Sequence, residues 1–508
     1  MEPRTSSSAD AGAGKAGGDR AQLSRTLKPG WVWAIALGSA VGWGAFVLPT
    51  DWLATAGPLG AILGFLIGGA LMLVIAVSYG FLIKSFPVCG GEFAYALNGF
   101  GRKHAFLCAW FLTLGYMCIV ALNASALALL SRFVLPQVAE QGRLFEVAGW
   151  DVYLGEVLIA SAAIVIFALL NIRGASLSGR LQFVFVMIMI AGVALLGLGV
   201  LLHSESQWSN VSPAFALDVP PWTAVLAIVA IAPWAYVGFD NVPQAAEEYD
   251  FSPAKAFRLI VFAIVVAALI YSVMILATAS AMPWTELTAG DPRWGTGDAI
   301  AGLFGGAGVM LLALSLSMGI CTGLNGFTVA ASRLLFAMGR ARMIPQGFAQ
   351  LHPRYRTPYV GLAFTAALCL VAPWFGREAL LWVVDMSAVG VTIAYTYTCL
   401  AAFKRFRGVD ESGEPAGSVA KQGLSLAGAV IGLTFLALLV IPGSPAAFGP
   451  ESAVSLLIWI VLGLLFYIAR IRENSALSDQ ELDYLVFGDG GSGQAAQRCS
   501  EELEHSRA

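Results

Sequence analysis

From Trp31 to Ile471 the chain is a succession of apolar runs separated by short clusters of charge, Pro and Gly. Each run is about 20 residues long, enough to cross a hydrocarbon core of roughly 30 Å as an α-helix. Dividing the runs at their charged, Pro and Gly boundaries predicts helices over residues 31–55, 57–84, 103–133, 152–171, 175–202 and 221–247. Six more are predicted over 255–282, 301–333, 358–375, 379–403, 423–441 and 452–470. The expectation is an all-α integral membrane protein with twelve transmembrane helices. Strands of a β-barrel would instead alternate apolar and polar residues over about 10 positions.

Two of the runs carry helix breakers at their centres. The first reads GSAVGWGAFVLP over residues 38–49, with Gly38, Gly42 and Gly44 in seven positions. Each Gly costs an uninterrupted helix about 1 kcal/mol relative to Ala. The sixth reads APWAYVGFDNVPQAAEE over residues 232–248, with Gly238 followed by Pro243, and Pro disrupts the turn before it. First and sixth are matching places in two successive five-helix halves. Unwound backbone at membrane depth is tolerated where it lines a cavity, so paired interruptions point to a transporter's binding site. Glycines that serve only helix packing are the plainer alternative.

Composition agrees with a membrane protein: 58% of the 508 residues are hydrophobic and only 12% are charged, about half the charge of a soluble domain. Residues 29–471 form the bundle, flanked by tails at 1–28 and 472–508. The first tail is rich in Ala, Gly and Ser with no apolar run, and it reads as disordered. Seven cysteines without metal-ligand spacing read as small core residues. A net charge of -3 with no basic stripe excludes a nucleic-acid partner. No metal or cofactor is expected. Four scattered His residues, with no HExxH, nucleophile elbow or phosphate loop, argue against an enzyme.

Orientation follows from Lys and Arg in the short connections. One side collects Arg20, Arg25, Lys28, Lys84, Arg102, Lys103, Arg173, Arg180, Lys255 and Arg258. It also collects Arg340, Arg342, Arg354, Arg356, Lys404, Arg405, Arg407, Arg470 and Arg472. The other side holds Arg132, Arg143, Arg293 and Arg377. Both termini are thus expected to be cytoplasmic, in a multi-pass protein of the cell membrane.

Four segments in order resemble the amino acid/polyamine/organocation (APC) permease superfamily. They are GSAVGWGAFVLP (38–49), FPVCGGEFAYALNGFGRKHAFLCAW (86–110), WAYVGFDNVPQAAEE (234–248) and SRLLFAMGRARMIP (332–345). The resemblance covers most of residues 30–470. It implies the leucine-transporter fold: two inverted five-helix repeats with broken helices 1 and 6, plus two extra helices. It implies secondary transport of amino acids or related small amines by alternating access. A polyamine or organic amine exchanger and a non-transporting membrane sensor are the alternatives.

An amino-acid zwitterion in a dry cavity needs donors for its carboxylate and acceptors for its ammonium. The half-helix after the first break can offer N–H groups of Gly42, Trp43, Gly44 and Ala45 together with the positive end of its dipole. The half-helix before the second break can offer carbonyls of Trp234, Ala235 and Val237. The resemblance puts the substrate carboxylate on the first set and its amine on the second. It makes Trp234 an aromatic gate, and places Phe327 of the eighth helix on the same cavity. Trp43 departs from the family, where a small residue is usual. It would limit substrate size, stack on a cation, or pack elsewhere.

Asp240 lies mid-span, where a carboxylate must face a cavity or find a partner. Three roles stay open: contact with a basic substrate group, carriage of a coupling proton, or local bonding to freed backbone N–H groups. Glu247 and Glu248 are expected to gate or to pair with cytoplasmic arginines such as Arg340. Related proton-linked carriers place a Lys on the fifth helix, where this chain has Met189. Thr322, Ser317 and carbonyls near Gly38 are the available oxygen donors for sodium, although such hydroxyls more often bond to the preceding helical turn.

Overall fold

The computed structural model describes residues 20–147, 150–290, 294–375, 378–408, 417–444 and 447–488. Among them nine helices are long and apolar enough to cross a membrane: Pro49–Ser85, Arg102–Val134, Leu154–Ile172, Ala175–Leu202, Pro253–Ala281, Gly295–Arg340, Val383–Arg407, Val419–Val440 and Pro450–Ser475. Three shorter apolar helices, Pro29–Val41, Pro221–Ala230 and Tyr359–Phe375, stand at the expected first, sixth and ninth spans. The protein is an all-α, multi-span membrane protein.

The boundaries differ from the sequence expectation where glycine interrupts a helix. Helix Pro49–Ser85 turns at Gly57 (φ 70°). Its first residues therefore continue the first span, and the second span starts at Pro58, a residue suited to the opening turn of a helix. A side chain at Gly57 would lie 2.6 Å from the Phe215 backbone, so glycine also permits that close approach. The eighth span runs to Arg340, beyond the expected end at 333. The extra turns carry Arg340 to an acidic partner described below.

Packing between spans relies on small residues, which let backbones approach without a side chain between them. A Cβ on Gly68 would meet the Ala232 Cβ at 2.6 Å, and one on Gly64 would meet Ile228 at 2.4 Å. These contacts hold the second span against the interrupted sixth. The third span is buried along most of its length and lies against the eighth and tenth. It forms the centre of the bundle. A short hairpin, Arg143–Val147 with Trp150–Tyr153, joins the third and fourth spans. Sequence analysis does not foresee it.

At the opposite end, residues from both tails are packed together. Thr26 and Leu27 N–H groups donate to the Glu248 carbonyl, and the Arg20 guanidinium donates to the carbonyls of Leu485 and Val486 on the C-terminal helix Asp479–Phe487. The expected tail residues 1–19 and 489–508, and Arg293, Arg377, Cys499 and His505, lie outside the described residues. The six described cysteines are free thiols, five of them buried.

Candidate substrate site between two interrupted helices

The first span stops at Val41, where Gly42 adopts φ +50°, a conformation costing other L-residues about 1–2 kcal/mol. Helix resumes at Gly44. The Gly42 N–H donates to the Gly38 carbonyl at 3.1 Å, so it is not free as expected. Among the described residues, the N–H groups of Trp43, Gly44 and Ala45 take part in no such backbone bond. They are the uncommitted donors that a broken helix leaves at its new N-terminus.

The sixth span unwinds between Tyr236 and Asp240, with Gly238 at φ +132°. A Cβ there would sit 2.5 Å from the Ala40 N atom. Glycine thus lets the two breaks touch. Of the expected acceptors, the Trp234 carbonyl receives the Val237 N–H at 3.3 Å. The Ala235 carbonyl is also occupied. Tyr271 of the seventh span sets its hydroxyl 2.6 Å from Ala235 O and 2.9 Å from Ala40 O, so one proton ties the two breaks together. The Val237 carbonyl has no backbone partner among the described residues.

A small cavity lies between the breaks, lined by Ser39 to Gly44, Ile119, Leu122, Asn123, Trp234, Ala235, Val237 and Tyr271. Its volume is about 20 Å³, close to that of one or two water-sized spheres. Trp43 and Trp234 meet edge to face with ring centroids 6.1 Å apart, and a Cβ on Gly44 would touch Trp234 at 3.1 Å. A cavity of this size is too small for an amino acid with the rings in this position. The lining carries no acidic or basic side chain, but it holds two buried polar atoms without a partner, Asn123 Oδ1 and Ser39 Oγ. The Asn123 amide nitrogen is held by the Ile119 carbonyl at 2.8 Å, which leaves the oxygen as a fixed acceptor.

Gly42, Trp43, Gly44, Trp234, Ala235 and Val237 therefore meet at one cavity, whereas Ala45, Asp240 and Phe327 do not line it. Asp240 is fully buried and turned away: Oδ1 accepts from the Gly238 N–H at 2.6 Å and Oδ2 from the Tyr116 hydroxyl at 2.9 Å. A backbone N–H freed at the break thus donates to the carboxylate. Phe327 packs its ring 5.7 Å from that of Tyr116 in the same layer. Asn123, Ser39 and Tyr271 were missed. The available signal was a lone polar group in an apolar run, which sequence alone cannot aim inward or outward.

Beyond this layer the sixth span ends in ion pairs. Glu248 meets Arg333 at 2.7 Å with both side chains buried. Glu247 meets Arg340 at 2.9 Å and Arg20 at 3.4 Å, and it also accepts the Cys89 N–H. Of the oxygen donors considered for sodium, Thr322 Oγ1 lies 2.7 Å from Gly319 O of its own helix and 2.9 Å from Gly38 O, and Ser317 bonds back to Ala313. On the fifth span Met189 is buried. The Gln182 side-chain amide of that span donates to Ala34 O and Thr322 O, 3.2 Å from each. An uncharged group thus joins the first, fifth and eighth spans.

Residues 32–466 match the family described as amino acid permease. The chain belongs to that family. Among its relatives, the methylthioribose transporter of Bacillus subtilis is 27% identical over 90% of this chain and 95% of that protein. The branched-chain amino acid permease of the same organism is 24% identical, covering 87% and 92%. The mouse large neutral amino acids transporter small subunit 2 is 27% identical, covering 73% and 68%. This permease is a membrane transporter of amino acids or related compounds.

Proposed function

We propose that this permease is a secondary transporter that carries a small solute with an uncharged side chain by alternating access. The solute is an amino acid or a close relative, held between the interrupted first and sixth spans. The observation that carries the reading is the cavity lining: free N–H groups of Trp43 and Gly44 at one break, the Val237 carbonyl at the other, and the unpaired Ser39 Oγ of the first span and Asn123 Oδ1 of the third, with no charged side chain among them. The substrate carboxylate binds the N–H groups of Trp43 and Gly44. Its ammonium faces Val237 O, Asn123 Oδ1 and Ser39 Oγ. Charge-assisted hydrogen bonds of this kind are the strong ones, and an occluded site makes them stronger by excluding water.

Trp43 and Trp234 form the gate on the cavity, and the Glu247 and Glu248 ion pairs close the other end. Twelve spans in two inverted five-helix repeats plus two, in the cell membrane with both termini cytoplasmic, complete the reading. An exchanger of polyamines is disfavoured because no carboxylate lines the cavity to receive a second ammonium. Three relatives are named for methylthioribose, branched-chain and large neutral amino acids and a fourth for cationic amino acids, so the uncharged lining carries the choice of a neutral solute.

Uptake of radiolabelled solutes into proteoliposomes tests the proposal, with and without pH or Na⁺ gradients and internal counter-substrate. Saturable uptake of leucine, isoleucine or another neutral solute is expected, uninhibited by lysine or spermidine. Transport confined to cationic solutes would overturn it.

A further inference from the structure

Between the cavity and the ion pairs lies a second polar cluster that the substrate reading does not use. Glu92 stands in the short helix Gly91–Phe100, which joins the second and third spans, and its side chain is wholly buried. Its Oε2 accepts a short hydrogen bond from the Gln244 side-chain amide of the sixth span. Gln244 also reaches the Tyr116 hydroxyl at 3.3 Å, and that hydroxyl is bonded to Asp240 Oδ2. A chain Glu92, Gln244, Tyr116, Asp240 therefore links two carboxylates that are both fully buried.

The two differ in how they are satisfied. Asp240 holds two donors, one on each oxygen. Glu92 Oε1 has no partner, and neither does Gln244 Oε1. The groups that bear on Glu92 are Asp240 of the sixth span, Tyr79 of the second, Tyr116 and Cys108 of the third, Tyr395 of the tenth, and Tyr95 and Tyr249. None is basic. The eighth span packs nearby, but its Arg333 is committed to Glu248. Two carboxylates in one buried chain without a cation do not both stay ionised, because like charges and lost hydration disfavour the second charge. The one with the unpaired oxygen takes the proton.

We propose that Glu92 is a proton-binding site of this transporter, neutral in the conformation described and ionised when the bundle opens. The inference rests on the transport reading. The proton sits on Oε1, the oxygen that Gln244 leaves free. Gln244 continues to donate to Oε2. Movement of the segment Asn241–Gln244 away from the helix Gly91–Phe100 exposes Glu92 to water, which accepts the proton. Return of that segment requires a proton to be rebound from water. Proton carriage was one of three roles left open for Asp240 by the sequence; in this proposal Glu92 takes it, and Asp240 keeps a donor on each oxygen.

The test compares wild type with Glu92→Gln in proteoliposomes that contain a pH-sensitive dye, measuring gradient-driven uptake, proton entry and substrate exchange. Wild type is expected to show substrate-dependent proton entry. Glu92→Gln is expected to lose both proton entry and stimulation by an acidic exterior while still exchanging substrate. Infrared spectra of substrate-free wild type, with and without carboxyl-labelled glutamate, give a readout independent of transport. A label-sensitive protonated-carboxyl band is expected, absent in Glu92→Gln. Should that variant fail to fold, the band should shift in Gln244→Leu, which removes the donor to Oε2. Proton entry by Glu92→Gln at the wild-type rate overturns the proposal, as does wild-type exchange without proton entry, or the absence of the band. A band present in protein that transports no neutral solute supports the proton site and overturns only the substrate reading.

Discussion

The two ends of the interrupted sixth span solve the problem of polar groups in a membrane in opposite ways. Toward the cavity, Ala235 and Val237 present backbone beside Trp43 and Trp234, and the lining contains no charge. Unpaired atoms remain there, such as Asn123 Oδ1. Toward the other end, Glu247 and Glu248 are each matched to arginine, and even the terminal segments are drawn in by Arg20. At the cavity the unpaired atoms are neutral, whereas the two charges that end the sixth span each have an arginine. The difference underlies the proposal that the first end binds substrate and the second closes.

The largest expected effect tests the binding end. Gly42→Val or Gly44→Val should abolish uptake at unchanged membrane expression, because valine is strained at the φ of +50° that Gly42 adopts and a side chain at Gly44 presses on Trp234 at 3.1 Å. Uptake at the wild-type level by both variants would detach the first break from the substrate. Next comes the closing end. Arg333→Ala leaves Glu248 buried and unpaired, which should lower stability by about 3–5 kcal/mol. The thermal melt of the purified variant reads this directly. Combining it with Glu248→Leu should restore much of the loss, since no charge then stays behind.

A smaller effect is expected at Asn123. Asn123→Leu removes the acceptor for the ammonium, worth about 1.5–3 kcal/mol for a charged donor, so KM should rise by about tenfold or more. A KM within the error of wild type would take Asn123 out of the site. The mildest change concerns Trp43. Trp43→Ala widens the cavity, so competition assays should show larger neutral side chains gaining affinity relative to small ones. An inhibitor profile identical to wild type would mean that Trp43 serves packing alone.

Much of the fold was legible because the hydrocarbon core imposes length and apolarity on each segment. The runs around residues 103–133 and 175–202 correspond closely to Arg102–Val134 and Ala175–Leu202. Both breaks were legible too, since Gly42, Gly238 and Pro243 oppose helix locally. The hairpin at Arg143–Tyr153 escaped notice because strands of five and four residues are too short to stand apart from the apolar runs on either side.

The candidate site was legible in its backbone and not in its side chains. Glycine at a break reports on its own dihedral angles, whereas Asn123 and Asp240 look alike in sequence, each a polar residue in an apolar run. One aims into the cavity and the other is captured by the Gly238 N–H and Tyr116.

What the sequence by itself determined, then, was a multi-span helical permease interrupted at two matching places, because segment length, apolarity and glycine act locally. Tertiary structure alone decided which polar groups face substrate and which satisfy one another. Tyr271 joins the two breaks, Arg333 neutralises Glu248, and Glu92 is left with an oxygen that nothing completes. Each of these outcomes depends on residues far apart in the chain whose directions are set only when the helices pack.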